Sequence, residues 1–263
     1  MAPDARGKRS HVSDPRLTLV PVGVGTAYAA PGEVQSCYLV RAGGRCVVVD
    51  LGSGALNRLQ RHVAPHDPVA VIVTHLHPDH CVDLLSLRIH MMWGPGAGRT
   101  MRVIGPPGLR ERLSAFSGSE GWGTALRFES FAAGAGEVDL GGGLVMRHRE
   151  VTHLPPTNAV RLEYGGASVC LGADCAPGPQ LPELAVGCDV LVCECTFGAD
   201  AVPDGVPHLN ARAAGTIAAR AGAGRLLLTH CQPEFDRDAA LAGARAAFGG
   251  PVDWARQDEP VSA

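Results

Sequence analysis

Residues 75–80 read His75-Leu76-His77-Pro78-Asp79-His80, and they follow the apolar run Val69-Ala70-Val71-Ile72-Val73-Thr74. Three imidazoles and a carboxylate within six residues form a dense set of metal donors. A folded chain gains nothing by crowding ionisable groups together unless something coordinates or neutralises them. In an extended segment, residues two apart face the same side, so His77 can join His75 on one ion. Asp79 and His80 fall where the chain turns into the next helix and can face a second ion. Other single polar residues stand at the ends of predicted strands: Asp50, His153, Asp174 and His230. Each alone could be a satisfied polar group of the core. Together they supply enough nitrogen and oxygen donors for two divalent cations.

The elements that must position these groups are legible as short β-branched runs alternating with Ala/Leu-rich stretches. Leu17–Val24, Ser36–Val40, Cys46–Asp50, Val69–Thr74 and Met101–Ile104 read as strands. Leu56–Val63, Val82–Met92 and Pro107–Phe116 read as helices. The stretch Gly118–Gly143 is rich in glycine and reads only as strands and loops. Beyond it, Leu144–Glu150, Val160–Tyr164, Ser168–Leu171, Val190–Cys195 and Arg225–Thr229 are predicted strands, with Gly165-Gly166 a hairpin turn. Asn210–Ala221 is a predicted helix with Asn210 as N-cap and Gly222 as its stop. Asp236–Phe248 is a final helix before a frayed acidic tail. Strands followed by alternating helix and strand imply an α/β protein with helices on the outer faces of its sheets. Residues 1–15 are expected to be a flexible leader and residues 16–263 one domain.

Composition narrows the function classes. The net charge is −3 and Lys8 is the only lysine, unlike the basic footprint of a dedicated nucleic-acid binder. Nine cysteines, an odd number with no C-x-x-C pair, fit buried reduced thiols, and so a cytoplasmic protein. No stretch is long and apolar enough to span a membrane.

The string at 75–80, with His153, Asp174 and His230 following in order, resembles the metallo-β-lactamase-fold hydrolases over nearly the whole chain after the leader. The resemblance implies a four-layer αββα sandwich with two metals in a groove at one edge of the sheets. It implies that His75, His77 and His153 hold one ion, that Asp79, His80 and His230 hold the other, and that Asp174 bridges. Asp79 thereby also belongs to the catalytic set, and Asp50 would orient the metal loop. Asp174 stands where typical β-lactamases carry Cys, and His77 where diiron oxygen-reducing relatives carry Glu, so neither chemistry is expected. Glyoxalase-type thioesterases add a helical substrate domain after the last ligand, whereas 33 residues follow His230 here.

The chain is most similar to the ribonuclease Z-like branch. Its support is His208-Leu209-Asn210-Ala211-Arg212-Ala213-Ala214-Gly215 and Glu194-Cys195-Thr196-Phe197. In that branch a His and a Glu at these positions act as general acid and orienting carboxylate, which makes His208 and Glu194 catalytic candidates. The basic arm and Lys/Arg-bearing loop of tRNA 3′-processing enzymes have no counterpart, since Met91–Thr100 carries only Arg99 as a charge. Nucleic acid is therefore a less favoured partner than a small ester or phosphodiester. Two cations sharing a water lower its pKa toward neutrality, and the hydroxide attacks phosphorus or a carbonyl carbon. Zn²⁺ suits the donors best, with Mn²⁺ and Fe²⁺ compatible. The expected function is a dinuclear phosphodiesterase on a small or cyclic diester. A lactonase or thioesterase in a biosynthetic pathway and a tRNA 3′-processing endonuclease are the alternatives, and a homodimer is compatible with the resemblance. Trp93 and Trp122 are candidates for lining a substrate groove or for packing.

Overall fold

A computed structural model describes residues 16–118, 121, 122 and 124–263, so the predicted leader lies outside the described residues. Two seven-stranded sheets carry the fold. The first contains β1 (Thr18–Gly23), β2 (Cys37–Ala42), β3 (Arg45–Val49), β4 (Val71–Ile72), β5 (Met101–Gly105) and β6 (Leu126–Ser130) in that order. The second contains, in order, β7 (Ala135–Asp139), β8 (Val145–Val151), β9 (Thr157–Tyr164), β10 (Ala167–Leu171), β11 (Val190–Glu194), β12 (Arg225–Thr229) and β13 (Val252–Trp254). A last strand, β14 (Val261–Ser262), returns to the first sheet and pairs with β1. Each sheet passes from antiparallel hairpins to parallel strands. β1–β2–β3 are antiparallel and β3 to β6 parallel; β7 to β10 are antiparallel and β10 to β13 parallel.

Alternation along the strands creates the layers. Val47 and Val49 of β3 face the second sheet, where Val169, Leu171, Val190 and Val192 meet them in one core. Val48, between them, faces outward and packs with Leu56, Leu84 and Leu109. These come from the helices α1 (Ala55–Leu59), α3 (Leu84–Trp93) and α4 (Leu109–Ser117), which cover the first sheet. On the second sheet Leu191 and Cys193 face out against Ala214, Ile217 and Ala218 of α6 (Ala211–Ala221). That i, i+3, i+4 spacing puts one helical stripe on the sheet. With α7 (Arg237–Phe248) beside α6, the result is the expected αββα sandwich. Gly215 lets the two helices touch, since a Cβ there would lie 2.4 Å from the Ala244 carbonyl oxygen.

Most predicted elements are present. The Asn210 side chain accepts the Ala213 N–H, and Gly222 closes α6 in the left-handed region at φ 62°. Gly165 and Gly166, with φ of 60° and 88°, make the β9–β10 hairpin. Three expectations need correction. The helix predicted to reach Val63 ends at Leu59, where Arg41 takes the His62 carbonyl and the His62 ring turns to Asp258. A single-turn helix, α5 (Gln180–Leu184), was not expected in its Pro-rich setting. The acidic tail is not frayed: it supplies β13 and β14, and Asp258 is held by Arg58 and His62. Trp122 is core, stacked edge-on against Phe128, while Trp93 is exposed at the end of α3; neither is among the residues of the site.

Candidate active site

The predicted functional residues meet where the C-terminal ends of strands from both sheets converge. Asp50 directly follows β3, His75 is the third residue after β4, and Asp79 and His80 sit in the single-turn helix α2 (Pro78–Cys81). From the second sheet come His153 after β8, Asp174 after β10, Glu194 at the end of β11 and His230 after β12. Asp50, Ala173 and His230 adopt left-handed backbone, with φ of 60°, 53° and 51°. Such conformations cost about 1–3 kcal/mol for a side-chain-bearing residue and persist where the surroundings hold them. Gly52 allows the loop after β3 to lie against the metal motif, since a Cβ there would sit 2.0 Å from the Asp79 carbonyl oxygen.

Seven donors form two groups, His75, His77, His153 with Asp174, and Asp79, His80 with His230. His75 Nε2 lies 3.0 Å from His77 Nδ1, and His153 Nε2 lies 3.4 Å from the same atom. In the other group His230 Nε2 and His80 Nε2 lie 3.2 and 3.6 Å from Asp79 Oδ2. Asp174 Oδ2, of the first group, lies 3.7 Å from His75 Nε2 and comes within 3.6 Å of His80 Nε2 and 3.7 Å of His230 Nε2 in the second. Donors about 2.0–2.1 Å from a tetrahedral cation stand about 3.3 Å from one another. The observed separations fit that spacing, and the donor types suit a borderline divalent cation.

Partners behind the donors set the imidazole tautomers, and two buried carboxylates do so in the same way. Asp50 accepts His80 Nδ1–H at 2.7 Å and the Thr74 hydroxyl at 2.9 Å; that hydroxyl in turn accepts His75 Nδ1–H at 3.1 Å. Glu194 accepts His208 Nδ1–H at 2.9 Å and the Thr196 hydroxyl at 2.6 Å; that hydroxyl accepts His230 Nδ1–H at 3.1 Å. His153 donates its Nδ1–H to the Pro207 carbonyl at 2.9 Å. Each of these rings therefore turns a bare Nε2 or a proton-carrying Nε2 inward under control of its partner. Behind the donors a cavity of about 20 Å³, bordered by Ser36, Tyr38 and Thr229, has room for one water.

Electrostatics divides the groups. Burial, reinforced by neighbouring imidazoles, holds His75 well below the ordinary histidine value and lowers His77 as well. Burial also lowers His153, against its bond to Pro207. Burial opposes charge on His80 and His230 too, but Asp174 with Asp50 or Asp79 outweighs it and raises both. The Asp174 carboxyl falls well below its usual range: burial resists, and His230 and His80 prevail. Asp174, Asp50 and Asp79 thus draw positive charge into this pocket, as protons on imidazole or as a cation. His208 follows the same rule: burial pulls its pKa down, and Glu194 overcomes that to raise it.

His208 is not among the donor groups, yet its ring centroid is 5.0 Å from that of His153 and 6.3 Å from that of His230. Sequence reasoning missed Thr74 and Thr196 as working residues, although both lie inside motifs it singled out. Their signal was a hydroxyl residue at a strand end beside a ligand. Cys81, Cys175 and Cys231 are buried beside donors and fill space. His62, His66 and His148 find partners outside the site in Asp258, His90 and Asn158. Gly23–Thr26 does border the site, as Val24 offers its carbonyl to the His230 N–H.

Residues 45–231 match the sequence family described as the beta-lactamase superfamily domain. Ribonuclease Z of Mycobacterium marinum is 33% identical over 261 residues, covering 88% of this chain and 93% of that protein. The uncharacterized protein Rv1339 of Mycobacterium tuberculosis is 34% identical over 251 residues, covering 93% and 90%. In structure, the metallo-beta-lactamase fold protein YhfI of Bacillus subtilis superposes with a TM-score of 0.85 at 26% identity, covering 94% of this chain and 99% of that one. The matching family over residues 45–231 and the relatives above 30% identity show that this chain belongs to the beta-lactamase superfamily.

Proposed function

We propose that the protein is a dinuclear metal-dependent phosphodiesterase acting on a small or cyclic phosphodiester. The observation that carries this is His208, held by a buried carboxylate beside two complete donor groups and itself outside both. His75, His77 and His153 would hold one cation and Asp79, His80 and His230 the other, with Asp174 between them. Zn²⁺ fits the donor chemistry, and Mn²⁺ or Fe²⁺ would also be accommodated. Bound cations would supply a water of lowered pKa and neutralise charge growing on the phosphoryl oxygens.

The chain's own residues do the rest. Asp50 and Thr74 keep His80 and His75 oriented. Glu194 holds the proton of His208 Nδ1 and favours the protonated imidazole. His208 then presents Nε2–H to the leaving oxygen, which departs poorly as an alkoxide unless it is protonated. A carboxyl ester or thioester needs that help less, so a lactonase or thioesterase would keep its rate in His208→Ala. The ribonuclease Z relative favours a nuclease as the second reading, and the net charge of −3 disfavours it, because polyanion affinity rests largely on cationic side chains.

The test is hydrolysis of bis-p-nitrophenyl phosphate by protein loaded with Zn²⁺ or Mn²⁺. Turnover that His208→Ala reduces for alkyl-leaving diesters is expected. Absence of turnover with both metals would overturn the proposal.

A further inference from the structure

A cleft of about 860 Å³ opens from the donor groups across the outer face of the second sheet, and two of its lining residues, His153 and Pro207, also belong to the site. Arg149, the β8 residue that registers against Ala135 of β7, lines it together with Ala135. Gln180, at the start of α5, and Leu154, which is 77% exposed, line it as well. Resting on the phosphodiesterase reading above, for a substrate whose two ester groups are separate, we propose that this cleft receives the leaving-group half. We propose further that this half is an uncharged organic group of up to nucleoside size.

Three observations support the assignment. The first is continuity. The segment that walls the cleft at Pro207 holds His153 through its carbonyl and presents His208 at the next residue. A group bonded to the oxygen that His208 protonates must extend from the His208 side of the phosphorus. The ring of His208 packs 5.0 Å from that of His153, the residue at which the cleft begins. In the step itself, hydroxide oxygen bonds to phosphorus as the bond from phosphorus to the leaving oxygen breaks. The electron pair stays on that oxygen, which takes the Nε2 proton of His208. The freed alcohol is then already in the cleft.

The second observation is size. Ligand clefts run to about 300–1,000 Å³, so this open one, at about 860 Å³, has room for a nucleoside-sized group. The third is charge. Among the described residues Arg149 is the only Lys or Arg lining the cleft, and its guanidinium is paired with Glu183 at 2.6 Å. Glu150 also borders the cleft. A leaving group carrying further phosphates, as in a polynucleotide, would meet no free cation here. An uncharged one loses nothing by that.

Two substrates with the same leaving group separate the possibilities: bis-p-nitrophenyl phosphate and methyl p-nitrophenyl phosphate. Ala135→Trp and Gln180→Trp each place an indole at a lining position of the cleft, one on β7 and one on α5, and neither residue is a metal donor. The expected result is a fall of about tenfold or more in kcat/KM for both substrates in each variant, with bound metal and circular dichroism unchanged. On the metal-free proteins, saturation-transfer NMR to the single ring of methyl p-nitrophenyl phosphate should weaken in the same two variants. A loss confined to bis-p-nitrophenyl phosphate would place the retained half in the cleft and overturn the assignment. Unchanged kinetics for both substrates in both variants would overturn it as well, leaving the phosphodiesterase reading intact. No turnover by the unmodified protein would instead defeat that reading, and this assignment with it.

Discussion

Glu194→Gln is the substitution that examines the proposed proton donor most directly. The Glu194 side chain is buried, and its carboxylate accepts four hydrogen bonds. Oε1 takes His208 Nδ1–H at 2.9 Å and Cys175 N–H at 3.0 Å, while Oε2 takes Thr196 N–H at 3.0 Å and the Thr196 hydroxyl at 2.6 Å. A glutamine can turn its oxygen to only one of these pairs, and its amide then faces a backbone N–H. One orphaned buried donor costs about 1–3 kcal/mol of stability. The larger effect is on His208. Burial lowers its pKa and the Glu194 charge raises it, so removing that charge leaves burial in control. A general acid works below its own pKa; the rate should fall as pH rises through that value, and in Glu194→Gln this limb should move to lower pH. General acid catalysis contributes about 10²- to 10⁴-fold, which at 1.36 kcal/mol per tenfold is about 2.7–5.4 kcal/mol of barrier. The assay compares two diesters that differ only in the leaving group, a nitrophenolate and an alkoxide, in the wild type, Glu194→Gln and His208→Ala. Both variants should lose about 10²-fold or more on the alkoxide substrate and under about tenfold on the nitrophenyl one. Equal losses on the two substrates would refute the assignment of His208 as the acid.

Two further outcomes follow from the same kind of bookkeeping of donors and acceptors. In Asp50→Asn the amide nitrogen faces His80 Nδ1, which must then accept and move its proton to Nε2, the atom aimed at Asp79 and Asp174. Metal affinity, read by competition with a chromophoric chelator, should drop about 10–100-fold, and unchanged affinity would contradict the role given to Asp50. Asp258→Asn removes a carboxylate that Arg58 and His62 each reach at 2.7 Å. It should lower the urea midpoint by the equivalent of about 1 kcal/mol, allowing for solvent screening at this partly exposed site. Burial resists ionisation of Asp258, but the His62 and Arg58 bonds outweigh it and lower its pKa. Its contribution is thus complete above its unfolded-state value and is lost as pH falls through the folded one. The two proteins should converge in stability in acid, and a gap that widens there would refute the account.

What the sequence makes legible here follows from how local each signal is. The donors could be read because they stand at strand ends, where an apolar run stops and an ionisable residue begins, and all seven metal-donor candidates come from such junctions or the turn after them. β13 and β14 could not, because strands of three and two residues contain too few positions for a period of two to show. Their stability comes from partners far along the chain, as with Val261 opposite Leu19. The single turn of α5 failed for a similar reason, its helix being shorter than one hydrophobic repeat. The hydroxyls of Thr74 and Thr196 were invisible as relays because each acts between two residues brought together only by folding. The cleft beside His153 is a surface assembled from β7, β8, α5 and a loop, and no segment of the sequence records it.

The matched wiring behind the two halves of the site has an architectural consequence. Asp50 follows β3 of the first sheet and Glu194 ends β11 of the second. Each grips one imidazole directly and a second through a threonine. The same pattern of bonds is thus used twice, yet its two outcomes differ. The directly gripped ring of the first half, His80, is committed to the donor set, whereas its counterpart, His208, stands outside that set. Of two histidines gripped alike by a buried carboxylate, one sits in the donor set and the other beside it, so the same local wiring serves two different ends.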